Sequence, residues 1–144
     1  MRIAVIDLGT NTFNLLVAEG RRGSAISVVY RNEIGVKIGQ GGIHKKTITR
    51  EAFHRGLKAV GGQINKARSF DPEKILVVAT SGVRSAENGV LFIERIHEDY
   101  DVQVEVITGD REATLIYRGV RQSVALGPAP ALIIDIGGGS NECI

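Results

Sequence analysis

Tryptophan is absent, and only four phenylalanines and three tyrosines occur among 144 residues. A platform of aromatic rings for stacking nucleic-acid bases is therefore excluded. Cys143 is the sole cysteine, so no internal disulfide and no cysteine-based zinc site exists, which agrees with a reducing compartment. The three histidines, His44, His54 and His97, lack the spacing that places two imidazoles on one helix face, which argues against a histidine-held metal. A large charge of one sign is also missing. The net charge of +2, from 18 basic and 16 acidic residues, suits an anionic small substrate and is too weak to indicate a nucleic-acid partner. No apolar run approaches about 18 residues, and no basic leader with a cleavage site opens the chain, so no membrane association is expected and the cytoplasm is the expected location. Low-complexity tracts and short-period repeats are lacking too.

Glycine, by contrast, is plentiful: 18 residues, concentrated in turns. Asp7-Leu-Gly-Thr-Asn-Thr12 and Asp135-Ile-Gly-Gly-Gly-Ser140 follow one plan. In each, an apolar β-like run ends in an aspartate, and a tight glycine-containing turn follows. Glycine lets the backbone bend sharply and bring its N–H groups against an anion, and the Ser, Thr and Asn side chains add donors. An aspartate at the lip of such a turn can hold a hydrated Mg²⁺. Two such bends suggest a clamp on a phosphate chain, one jaw from each lobe of a two-lobed protein. Ordinary Asx-type turns use the same residues with no ligand, however.

The apolar pattern gives the rest of the order. Strands are expected at Ile3–Leu8, Phe13–Ala18 and Ala25–Lys37, with a turn at Gly20–Gly23 and a mobile glycine loop from Gly35 to Gly42. Thr49 reads as an N-cap, and Phe53, Leu57, Val60, Ile64 and Ala67 recur at helical spacing until Asp71-Pro72. A nearly continuous apolar run at Lys74–Thr80 predicts a central parallel strand. A helix capped by Ser85 and running to about His97, a strand at Val102–Thr108, and a helix capped by Asp110 and running to about Val124 follow. Gly127-Pro128-Ala129-Pro130 breaks the chain before a last strand, Leu132–Ile136. The expected class is α/β, in the order βββαβαβα with a mixed five-stranded sheet flanked by helices. The domain is expected to span 1–126, with 127–144 supplying a linker and the first strand and glycine turn of a second, similar domain.

This order, with a phosphate turn after the first strand, resembles the ribonuclease H-like half of the actin, heat-shock ATPase and sugar-kinase superfamily. Four segments are more specific: Asp7 to Phe13, Ala79 to Asn88, Ile107 to Ala113, and Asp135 to Glu142. Together, in order and over nearly the whole chain, they resemble the exopolyphosphatase/guanosine pentaphosphate phosphohydrolase (Ppx/GppA) family.

The resemblance implies Mg²⁺-dependent hydrolysis of a terminal phosphoanhydride, with polyphosphate or guanosine pentaphosphate as substrate. Asp135, Glu142 and Asp7 are then the metal-side carboxylates. Gly9, Thr10, Asn11 and Thr12 form one phosphate-binding jaw, and Gly137, Gly138, Gly139 and Ser140 the other. Glu112 near the start of its helix would by itself read as helix stabilisation; its Gly-x-x-Glu-Ala context implies the general base or water-orienting residue. Arg84, in a turn after a strand, is expected to grip phosphate oxygens, although an arginine out of that context is usually just solvated. Ser81 and Asn88 are weaker candidates. His44-Lys45-Lys46, with Lys37 and Arg50 near, are suited to attract a long polyanion or simply to solvate a loop.

Some positions depart from the family pattern. Thr10 and Thr12 replace common serines, Asn14 a frequent His or Arg, Gly82 a frequent Ala, and Asn141 a frequent Thr. Since the second glycine motif ends at Glu142, close to Ile144, the stretch is expected to be weakly active or inactive by itself. Its last strand is expected to disorder, fold back or pair with a second copy as a homodimer. Two other readings share the bends: a sugar- or acetate-kinase-type phosphotransferase, and a non-catalytic actin-like nucleotide-binding module.

Overall fold

Alternation of apolar side chains along Arg2–Leu8 (β1) and Thr12–Glu19 (β2) sends Ala4, Ile6, Leu8, Phe13, Leu15 and Val17 to one face, where each is fully buried. Successive side chains of a strand point to opposite faces, so this pattern places a covering layer on one side of the sheet. The computed structural model describes residues 1–21, 25–127 and 129–144, and for Ile43 the backbone only. The expected turn at Gly20–Gly23 and the break at Pro128 fall partly outside the described residues.

The remaining elements are β3 (Ser27–Gly35), a 3-10 turn at Ile43–Lys45, α1 (Arg50–Arg68), β4 (Lys74–Ala79), α2 (Ser81–Arg84), α3 (Gly89–Tyr100), β5 (Val104–Val106), α4 (Gly109–Ser123), β6 (Ile134–Ile136) and β7 (Asn141–Cys143). Five strands form one mixed sheet in the order β3-β2-β1-β4-β5. Its first three strands are an antiparallel meander, and β4 and β5 join parallel. This is the ribonuclease H-like, actin-like arrangement. Strands β6 and β7 form a separate antiparallel pair. No helix among the described residues is long and apolar enough to cross a membrane.

Helices α1 and α3 pack on each other, and α1 lies on β1 and β2. Thr49 caps α1 by accepting from the Ala52 N–H at 3.3 Å. Val60, Ile64 and Ala67 are buried as their spacing predicts, while Phe53 and Leu57 are half-buried. Gly56 allows close packing of the two helices: a Cβ there would stand 2.9 Å from the Phe92 ring.

Several local expectations are corrected. Ser85 does not open a long helix; it closes the single turn α2, and α3 starts after Asn88. The Asn88 side chain instead clamps the Ile48 backbone, accepting from its N–H at 2.8 Å and donating to its carbonyl at 2.9 Å. The cap of α4 is Thr108, whose hydroxyl accepts from the Arg111 N–H, and Asp110 sits inside the first turn. Strand β5 is shorter than expected because its chain turns toward α4 after Val106. Within the Gly35–Gly42 loop, Val36 and Ile38 are buried in the core. The face of the sheet opposite α1 is open. Leu76, 37% exposed, borders a groove of about 870 Å³ that Val78, Val104 and Leu115 also line.

Candidate active site

The two glycine bends are built alike. In the first, the Gly9 N–H donates to the Thr12 carbonyl at 3.0 Å, and in the second the Gly137 N–H donates to the Ser140 carbonyl at 2.9 Å. Both therefore close across three residues. The flanking strands match as well: Asp7 pairs with Asn14 across β1 and β2, and Asp135 pairs with Glu142 across β6 and β7. Asn14 thus occupies in the first hairpin the place that Glu142 occupies in the second. Glycine is required at the tight point of the first bend, where a Cβ on Gly9 would lie 2.8 Å from the Thr12 carbonyl oxygen.

The bends meet. A Cβ built on Gly138 would strike the Asn11 amide, and one built on Gly139 would lie 2.6 Å from Thr10 Oγ1 and 2.9 Å from Ser81 Oγ. The Ser81 hydroxyl donates to the Gly139 carbonyl at 2.8 Å. Ser81 opens α2 directly after β4, and it joins the second bend to the main sheet. Only residues without side chains at 138 and 139 permit this approach.

Arg84 and Glu112 lie in the same region. Arg84 Nη1 donates to Glu112 Oε2 at 3.0 Å and to the Ile107 carbonyl at 2.7 Å. The pair is partly shielded, with 26% and 16% of the two side chains exposed. Among the described residues, Arg84 Nε and Nη2 have no acceptor, so one edge of the guanidinium remains free to donate. Glu112 sits in the first turn of α4, where the aligned backbone dipoles favour a negative charge.

Asp7 carries the least satisfied carboxylate. Its Oδ2 accepts a long bond of 3.4 Å from Asn14 Nδ2, and its Oδ1 is buried with no partner. Burial raises the Asp7 pKa above its ordinary value; the Asn14 bond opposes the shift, and the charges of Glu112 and Asp135 add to it. Asp7, Asp135 and Glu142 do not form a closed cluster, for no three metal-binding side chains among the described residues are gathered tightly enough to hold an ion by themselves. Mg²⁺ commonly takes one or two carboxylates and completes its shell with water and substrate phosphate. The orphaned Asp7 oxygen and the open carboxylate of Asp135 fit that pattern.

The glycine-bend residues 9–12 and 137–140, with Asp7, Asp135 and Glu142 on the flanking strands, thus lie on two touching hairpins, and Arg84 pairs with Glu112, whereas the weaker candidate Asn88 is engaged with Ile48. The groove of about 870 Å³ on the open face of the sheet contains none of them. Asn14 is the residue whose part was not foreseen. The signal was present, since Asn14 follows Asp7 by seven positions just as Glu142 follows Asp135.

The family model of the Ppx/GppA phosphatase family matches residues 16–144. The chain belongs to the Ppx/GppA phosphatase family. An exopolyphosphatase from Cytophaga hutchinsonii is 40% identical with a TM-score of 0.95, over 100% of this chain and 46% of its own. The Ppx/GppA family member of Aquifex aeolicus is 26% identical with a TM-score of 0.83, over 99% of this chain and 46% of its own. An exopolyphosphatase-like protein is 32% identical with a TM-score of 0.88, over 99% of this chain and 44% of its own. The chain therefore spans about half the length of these solved Ppx/GppA structures.

Proposed function

We propose that the site hydrolyses the terminal phosphoanhydride of inorganic polyphosphate or of guanosine pentaphosphate, with Mg²⁺ as cofactor. The observation that carries this reading is the meeting of the two glycine bends through Thr10, Ser81 and Gly139, beside Asp7, whose buried oxygen lacks a partner. Backbone N–H groups and polar side chains of residues 10–12 and 138–140 hold the terminal phosphoryl group and neutralise its oxygens, while the Gly9 and Gly137 N–H groups close the bends that present them. Glu112 accepts the proton of a water that attacks phosphorus as the bridging P–O bond breaks, and the departing phosphate leaves with the bonding pair. Arg84 fixes the Glu112 carboxylate through Nη1 and offers its free edge to a phosphate oxygen. Asp7, Asp135 and Glu142 are the groups that would hold Mg²⁺, directly or through water. When bound, the ion supplies charge neutralisation between adjacent phosphates.

The test is phosphate release from polyphosphate with Mg²⁺, read in a protein with the full length of the solved relatives. Glu112→Gln is expected to lower turnover by at least about 100-fold, the usual scale for a lost general base, while tripolyphosphate binding to the 144-residue chain persists. Retention of turnover within a few-fold would reject the assignment of Glu112.

A further inference from the structure

Strand β3 is the outer strand of the five-stranded sheet. It pairs with β2 on one side, and no strand among the described residues pairs with it on the other. A free edge offers a row of unpaired N–H and C=O groups to a second strand. Which residues offer them follows from the register. The Val36 N–H donates to the Asn11 carbonyl at 2.8 Å, and Gly35 faces Thr12 one step along. Hydrogen bonding alternates along an antiparallel ladder. Val36, Ile34, Asn32 and Tyr30 therefore turn their backbone groups toward β2, while Arg31, Glu33 and Gly35 turn theirs outward. The irregularity opposite Val17 and Ala18 leaves Val29 without a partner on β2 and ends the regular run at Tyr30.

The side chains of this run alternate too. Tyr30, Asn32 and Ile34 are half-buried and face the same side as Val17, Leu15 and Phe13, their partners on β2. Arg31 and Glu33 are exposed on the opposite side. Among the described residues, neither takes part in an ion pair. Charges on an edge ordinarily keep a second strand away. Here they have opposite signs and stand two positions apart, so the strand is complementary to itself.

We propose that the β3 edge is a homodimer interface, in which two copies of this chain pair antiparallel about a two-fold axis through Asn32 and form one continuous sheet. In that register Arg31 stands opposite Glu33 of the other copy, twice by symmetry. Both residues belong to the outward set, so their backbone groups join the ladder as well. Tyr30 stands opposite Ile34, an aromatic–aliphatic pair, and the two Asn32 amides meet at the axis, where each can donate and accept. A slip of two residues either way sets Arg31 against Arg31 or Glu33 against Glu33. A slip of one sets outward backbone groups against groups already bonded to β2. The paired run is short, so the dimer is expected to be weak and reversible, and exposed ion pairs make it weaker in high salt. This interface lies on a different edge from the β6–β7 hairpin and does not depend on the hydrolase reading.

The experiment is sedimentation equilibrium of the 144-residue chain over a concentration series. Wild type is expected to pass from monomer to dimer between about 1 μM and 1 mM, the range of weak complexes. Arg31→Glu and Glu33→Arg each set like charges opposite each other at both symmetry-related positions, and each should raise the dissociation constant at least about tenfold. An equal mixture of these two variants makes every facing pair opposite in sign again, and should form a mixed dimer of wild-type strength. The two changes combined in one chain should likewise restore the dimer. Recovery on mixing cannot come from a misfolded variant. Three results would each overturn the interface: wild type still monomeric at about 1 mM, single variants that associate as wild type does, which would assign the contact to another edge such as β6–β7, or a mixture that stays monomeric. Phosphate release does not enter the readout, so failure of the hydrolase reading is seen separately.

Discussion

Asp7 is the residue where stability and function pull apart. Burial is the main reason its folded-state pKa lies above the unfolded carboxylate value. Its contribution to stability is therefore fully present below the unfolded pKa, about 4, and is lost as pH rises through the folded pKa. Asp7→Asn removes the ionising group and keeps an acceptor for Asn14. We expect the variant to be more stable than wild type at pH 7 by about 1–2 kcal/mol, with the difference vanishing as pH falls to about 4. Urea melts at the two pH values check this; an unchanged difference would show that ionisation is not the cause. Glycine 139 supplies a second residue-scale prediction. Gly139→Ala places a methyl against Thr10 and Ser81, which should part the bends and weaken tripolyphosphate binding at least about tenfold, roughly the loss of one or two hydrogen bonds. The thermal midpoint should change little, because the contact joins the β6–β7 hairpin to the sheet and lies outside the core. Binding equal to wild type would show that the bends do not act together.

At the scale of elements, the pairing of α1 with α3 governs the stability of the covered face. Phe92 is fully buried, stands edge-on to Phe53 at 5.1 Å, and abuts Gly56. Phe92→Ala is expected to cost about 3–5 kcal/mol, the range for removing a buried aromatic side chain. Denaturant unfolding measures it, and a loss below about 1 kcal/mol would mean that the helices repack freely. The strands β1 and β2 and helix α1 were legible in the chain because their apolar periods are long and unbroken. The stretch from Thr80 to Tyr100 was not. Ser85 has the chemistry of a cap, but it closes the turn that follows β4: its N–H donates to the Ser81 carbonyl, and Val83 and Arg84 donate to the Thr80 carbonyl. Asn88, which precedes α3, is engaged with Ile48, 40 positions away. Local propensity does not register a partner so distant. At Thr108 and Asp110 two adequate caps compete, and the backbone geometry at Thr108 decides.

The whole molecule divides its stability unevenly. Strand β1 lies between two neighbours, while β6 and β7 have only each other and leave Leu132, Ile134 and Ile136 exposed. A two-stranded hairpin is marginal in water, so native-state hydrogen exchange is expected to show β6–β7 amides exchanging orders of magnitude faster than those of β1. Comparable protection in the two would show that the hairpin is stabilised as firmly as the main sheet. Addition of tripolyphosphate with Mg²⁺ should slow exchange at residues 137–143 by bridging the bends.

The chain by itself determined the recurring aspartate-glycine bends, the three-strand opening and the long capped helix, because each depends on neighbours within a turn or one strand repeat. It also carried the four family segments and, unread, the shared spacing of Asp7 to Asn14 and Asp135 to Glu142. Tertiary structure decided that the bends touch, through Ser81 and Gly139 at a separation of 58 residues. It decided too that Arg84 holds Glu112 across 28 residues. These are meetings of surfaces far apart in the chain, fixed by how β4 and its following turn pack beside β1, and no local pattern of residues encodes such a distance.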